Sequence, residues 1–300
     1  MSRFGLLIDM SRCNGCYGCF MACRDEHCGN DHLPYSAAQP YAGHFWMRLV
    51  QRERGSYPKV KTAYFKILCM HCDEAPCIAR HPDKVYKRPD GIVIIDPLKA
   101  KGAQDLLDSC PYNAIFWNEG TAIPQKCTMC AHLLDQGWKE PRCVEVCPTN
   151  ALMFGDMDDP LSAVSKRLAE EKGEVLHPEY GLEGAVWYLN MPKRFIAGSL
   201  VFGDTDSCAG QVLITLAGGG EVKRATSNAF GDFEFEGLDK DTEYTLTISH
   251  PAYRPLELEV RPRIDTYLGD IVLDKNSFQN EAPPQGTRWA SAREGRRERE

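Results

Sequence analysis

Cys13-Asn-Gly-Cys16-Tyr-Gly-Cys19-Phe-Met-Ala-Cys23 is the stretch on which the fold turns. Cysteines at spacings of two, two and three residues deliver three thiolates to one iron-sulfur cluster and a fourth to a second cluster. A partner run stands downstream, Cys127-x2-Cys130-x12-Cys143-x3-Cys147, closed by Pro148. If the runs exchange their last cysteines, two ligand sets are complete. Cys13, Cys16, Cys19 and Cys147 hold one cluster, and Cys23, Cys127, Cys130 and Cys143 hold the next.

A third group lies between them. Cys69-x2-Cys72-x4-Cys77 is followed by His81-Pro82, where the spacing calls for a fourth cysteine and the usual proline. Asp96 to Pro111 has the outline of another run, with Ala100, Ala103 and Leu106 at its first three cysteine places and Cys110 at its last. By the same exchange, Cys69, Cys72, Cys77 and Cys110 hold a third cluster. A fourth would need thiols at positions 100, 103, 106 and 81, and all four are missing together. This is the coherent deletion of one cluster from a four-cluster plan, leaving three [4Fe-4S] clusters. Twelve of the 14 cysteines are used, and Cys28 and Cys208 read as ordinary free thiols.

Zinc is the competing metal, because paired Cys-x2-Cys elements also build tetrahedral structural sites. Interlocked complete runs and a correlated loss are hard to obtain from independent zinc knuckles. His71 and His132 could donate to cluster sulfurs or simply cover them, since the thiolate sets are complete without them. His81 has no site to join. Lys126 precedes a ligand and could raise a cluster potential by its charge, or be a solvated surface lysine.

Composition bounds the rest. With 300 residues, 43% hydrophobic and 26% charged, the chain is a folded protein with room for two domains. A net charge of −7 argues against nucleic-acid binding, which needs a basic field. No stretch approaches the ~20 apolar residues of a membrane span. The start, Met1 to Asp9, runs too soon into cysteines to be a signal peptide and has no twin-arginine pair, so a cytoplasmic location is expected. That compartment is reducing and favours metal over disulfide.

The expected fold class is α+β, a duplicated ferredoxin-like cluster-binding domain followed by a seven-stranded Greek-key β-sandwich. Residues 1–157 form the cluster domain, with strands such as Phe4–Asp9 and Gly91–Asp96 and an insertion over about 29–68 that reads as a covering or docking loop. Residues 158–194 are a helix, started by Asp159-Pro160 and stopped at Gly173, and an irregular connector. Residues 195–275 carry seven alternating segments, Ala197–Phe202, Gln211–Leu216, Glu221–Thr226, Asp232–Glu236, Thr242–Ser249, Leu256–Val260 and Leu268–Leu273. They resemble the Cna-B or carboxypeptidase-regulatory type of domain. Residues 276–300 read as a disordered tail.

The four-run plan resembles the iron-sulfur subunits of the molybdopterin oxidoreductase family, the electron-transfer chains of dimethyl-sulfoxide-reductase-type enzymes. A narrower resemblance, to the small iron-sulfur (beta) subunits of its transhydroxylase branch, is carried by Cys19-Phe-Met-Ala-Cys23, Asp25-Glu26-His27, Gly43-His44, Trp46-Met47, Arg52-Glu53-Arg54-Gly55, Cys69-Met-His-Cys72, Ala75-Pro76-Cys77, Asp90-Gly-Ile-Val93 and Gln125 to Asp135. That resemblance implies a heterodimer. A large catalytic partner would carry molybdenum with two molybdopterin guanine dinucleotides and perform hydroxyl transfer of the pyrogallol-to-phloroglucinol type, while this chain has no catalytic residues. Two alternatives stand beside it: the same role in a resorcinol hydroxylase or catechol dehydroxylase, with net electron flow through an external carrier, or a stand-alone polyferredoxin.

Overall fold

The computed structural model describes residues 2–276, so the expected tail falls almost wholly outside the described residues. The chain divides into two compact units. Among the described residues, one comprises 2–197, 235–242 and 261–267, and the other 198–234, 243–260 and 268–276.

The first unit is organised by the strand Phe4–Asp9. Its run of Leu6, Leu7 and Ile8 is buried on both faces, as a central strand requires. On one side it pairs antiparallel with Leu152–Asp156, and on the other parallel with Val186–Leu189. The register sets Ile8 opposite Leu152, five residues before Cys13 and five after Cys147. Backbone pairing thereby draws the first and last cysteines of the two outer runs toward each other.

Three hairpins lead into the remaining cysteines. Arg48–Ser56 pairs with Lys59–Ile67, two residues before Cys69. Val85–Lys87 pairs with Val93–Ile95, and Phe116–Asn118 with Ile123–Gln125, which enters Lys126-Cys127. Short helices carry or follow the thiols: Gly18–His27, Pro76–Arg80, Ala131–Asp135 and Arg142–Glu145. One hydrophobic core contains Leu6, Ile8, Trp46, Leu68, Ile92, Ile94 and the cysteines Cys19, Cys23, Cys69, Cys72, Cys77 and Cys143 together.

Several elements differ from the sequence reading. The insertion expected as a loop holds the full nine-by-nine hairpin, whose outer residues are too charged to advertise a strand. The irregular connector contains Val186–Leu189, an edge strand too short to stand out by periodicity. The helix begins at Ala163 rather than at Pro160, because the Ser162 hydroxyl accepts from the Ser165 N–H while Asp159 caps the preceding turn at Leu161. It ends at Glu170, three residues before Gly173.

Beyond residue 194 each of the seven expected segments contains or overlaps a strand, and a two-residue strand, Ser207–Cys208, makes an eighth. Arg194–Phe202 pairs with Ser207–Cys208, Asp232–Leu238 and Thr266–Leu273. A second four-stranded sheet runs in the order Glu221–Thr226, Leu213–Gly218, Tyr244–His250, Tyr253–Val260, antiparallel throughout. Alternate residues turn inward there, with Ile214 opposite Ile248 and Leu216 opposite Leu246, all buried. Neither sheet closes into a barrel.

Candidate metal centres

At all three Cys-x2-Cys corners that open a set, the residue before the second cysteine has left-handed backbone: Gly15 (φ 74), His71 (φ 46) and Met129 (φ 49). Only the first is a glycine, so His71 and Met129 hold a conformation that L-residues seldom adopt. The result is visible in the hydrogen bonds. His71 N–H donates to Cys69 Sγ and Met129 N–H to Cys127 Sγ, each at 3.4 Å. Backbone N–H groups aimed at sulfur stabilise thiolate and tune a bound cluster.

The structure gathers the thiols as follows. Cys23, Cys127, Cys130 and Cys143 line one cavity, closed by Leu6, His27, Met47, Leu68, Met129 and Pro141. Cys69, Cys72, Cys77 and Cys110 line another, with Val93, Tyr112, Ile115 and Lys126 among its walls. Cys13 and Cys147 both lie within electrostatic reach of Cys19. Cys16 is the most exposed of this foursome; a Cβ on Gly18 would meet its Sγ at 3.6 Å and the Val146 carbonyl at 3.7 Å.

Where a fourth set would stand there is packed hydrocarbon. Ala100 and Leu106 are fully buried and Ala103 nearly so. His81 turns to the carboxylate of Asp105, with Nε2 2.9 Å from Oδ2.

The donor chemistry fits an iron-sulfur group. Burial, followed by repulsion from neighbouring thiols, pushes Cys72 up to about 12. Burial likewise pushes Cys130 up to about 12 and Cys77 and Cys127 up to about 11, and holds Cys23 and Cys143 well above the ordinary thiol range. Four thiolates cannot share such a pocket without a cation to neutralise them. Lys66 Nζ, His71 Nε2 and Thr128 Oγ1, all on or near the cysteine segments, are buried without a hydrogen-bond partner among the described residues. Buried donors are rarely left so, and cluster sulfurs are the acceptors that would satisfy them.

Comparison with known proteins gives the same chemistry. Residues 60–157 match the family described as a 4Fe-4S dicluster domain. The small subunit of pyrogallol hydroxytransferase from Pelobacter acidigallici is 43% identical over 255 residues, covering 83% of this chain and 91% of that subunit. The chain belongs to this small-subunit family. A subunit of sulfite dehydrogenase from Allochromatium vinosum is 35% identical over 65% of this chain and 85% of its own length. The arsenate respiratory reductase iron-sulfur subunit of a Shewanella species is 30% identical over 62% of this chain and 96% of its own. The chain is thus an iron-sulfur electron-transfer subunit, the non-catalytic member of its enzyme.

Within this small-subunit frame, some polar residues take places that spacing could not assign. Lys126 is not a solvated lysine: it is 3% exposed, and its Nζ donates to the carbonyls of Val93 and, at 3.1 Å, of Cys127. Its amine thus lies beside Cys127, and the side chain lines the cavity of Cys69, Cys72, Cys77 and Cys110. His71 is fully buried and accepts the Val93 N–H on Nδ1 at 3.0 Å. His132 is held by Glu26, Nε2 to Oε1 at 2.9 Å, and stacks on His32. His27 has Nε2 3.7 Å from Cys130 Sγ, and burial holds its imidazole down at about 3, hence neutral. Spacing alone marks it only by its place one helical turn beyond Cys23. Of the spare thiols, Cys28 lies 3.7 Å from the Pro40 carbonyl and Cys208 is exposed on its short strand.

Proposed function

We propose that this chain carries three [4Fe-4S] clusters, on Cys13, Cys16, Cys19 and Cys147, on Cys23, Cys127, Cys130 and Cys143, and on Cys69, Cys72, Cys77 and Cys110. It serves a large molybdenum-containing partner that holds two molybdopterin guanine dinucleotides and transfers hydroxyl groups between polyhydroxylated aromatics, in the manner of pyrogallol to phloroglucinol. The observation that carries this reading is that two of the three foursomes each line a single cavity, while the fourth place is filled by Ala100, Ala103 and Leu106, in a chain 43% identical to a pyrogallol hydroxytransferase small subunit. When bound, the clusters supply one-electron oxidation and reduction. This chain's part is to hold them in apolar pockets, to donate backbone N–H bonds to their thiolates at Cys69 and Cys127, and to set fixed charge beside them through Lys126.

Fourteen free thiols suit a reducing compartment, and the cytoplasm is the proposed location. The domain plan proposed is a cluster domain over 1–157, a linker to 194, and a Greek-key β-sandwich over 195–275. The antiparallel sheet with alternate inward residues supports the last. No helix among the described residues is long and apolar enough to cross a membrane.

Hydroxyl transfer within one pair of aromatics has no net redox change. Purified with its large partner, the enzyme is therefore expected to convert pyrogallol to phloroglucinol without an added electron carrier. Strict dependence on an external donor or acceptor would overturn the transhydroxylase reading in favour of a hydroxylase or dehydroxylase. Isolation of the chain with no large molybdenum-containing partner would overturn both.

A further inference from the structure

Lys66 lies near the end of the strand Lys59–Ile67, opposite Leu49 of its hairpin partner. It is 2% exposed, among the largest fully buried side chains of the protein, and its Nζ has no hydrogen-bond partner among the described residues. A buried amine left so is costly, because the ammonium surrenders its hydration and receives nothing in return. Such a residue persists where a negative group meets it.

The strand itself says where that group lies. Side chains two apart share one face of a strand, so Lys66 points with Tyr64. The Tyr64 ring packs on Gly15, so closely that a Cβ there would lie 2.4 Å from ring carbons. Gly15 sits between Cys13 and Cys16. This face of the strand therefore rests on the first cysteine loop, and the same strand also contacts the Met10–Arg12 turn that precedes Cys13. Lys66 also lies within electrostatic reach of Cys19. The hydroxyl of Tyr188 fixes the lysine backbone, donating to its carbonyl at 2.5 Å.

We propose that the Lys66 amine donates to the sulfur atoms of the cluster on Cys13, Cys16, Cys19 and Cys147 and raises the reduction potential of that cluster selectively. The proposal rests on the cluster assignment above. A thiolate-held cluster carries net negative charge that grows by one on reduction, so a buried cationic donor stabilises the reduced form more than the oxidised form. The outermost thiol of this set, Cys16, is exposed in the single chain, whereas Lys66 is buried. It is a positioning and tuning residue, and no reacting atom touches it.

The test is an EPR-monitored redox titration of the intact complex, with iron analysis of each preparation. Cys16→Ser identifies which signal belongs to this cluster. Lys66→Met, similar in length and without a donor, is expected to lower the midpoint of that same signal and to leave the other two in place. Lys66→Arg is expected to restore most of the shift. Unchanged potentials in Lys66→Met, or an equal shift in all three, would overturn the proposal while leaving the three-cluster reading intact. Loss of iron in both Lys66→Met and Lys66→Gln would make the lysine structural and overturn it as well. A wild-type complex without three separable clusters would instead overturn the underlying assignment.

Discussion

Leu106 is fully buried at the place where a fourth ligand run would have its third cysteine, and Ala100 is fully buried at the first. The places that spacing assigns to a fourth set are packed with hydrocarbon, and His81 pairs with Asp105. Leu106→Ala should then behave as an ordinary core truncation, costing about 2–5 kcal/mol in stability. Denaturant unfolding of the reconstituted chain checks this, with iron content expected to stay as in the wild type; loss of one cluster's worth of iron would mean that position 106 still serves a metal site. Spacing rules name thiols, and they named the four places that lack them. They could not reveal Lys66 or His27, nor decide between the two readings of Lys126. Burial of a polar side chain is made by tertiary packing, and a lysine beside a cysteine reads the same in sequence whether it is solvated or enclosed at 3% exposure.

Three of the helices that carry or directly follow cysteines are too short to stand alone. Pro76–Arg80 and Ala131–Asp135 have five residues each and Arg142–Glu145 has four, whereas isolated helices shorter than ~12–15 residues are marginal in water. Their order must come from packing around the thiols and from whatever the thiols bind, which couples metal to folding. Chelation of iron under reducing conditions should therefore raise amide hydrogen exchange in these three helices. The ladder of Leu213–Gly218 with Tyr244–His250 should keep its protection, because its hydrogen bonds and the buried Ile214, Leu216, Leu246 and Ile248 do not involve cysteine. Equal protection of the helices with and without iron would refute the coupling. Strand Phe4–Asp9 was legible to the residue because an apolar run bounded by Asp9 admits few alternatives. The hairpin Arg48–Ser56 with Lys59–Ile67 was not, since Arg52, Glu53 and Arg54 hide its alternation, and its register is set by the partner strand rather than by composition.

For the whole molecule, the claim that unites these features is a three-cluster electron-transfer subunit derived from a four-cluster plan. Membership in the pyrogallol hydroxytransferase small-subunit family rests on a match that covers 83% of this chain and 91% of that subunit. The dicluster family match covers only residues 60–157, so the first run and the sheets beyond it lie outside that description. Activity assays report on the partner's chemistry as much as on this chain's, and potentials report on individual residues. Metal content reports on the plan itself. Iron and acid-labile sulfide, measured per chain on the anaerobically purified complex and corrected for any iron held by the partner, are expected at about 12 of each, four per cubane. A value of about 16 would contradict the deletion of the fourth cluster, and zinc in place of iron would contradict the cluster reading altogether.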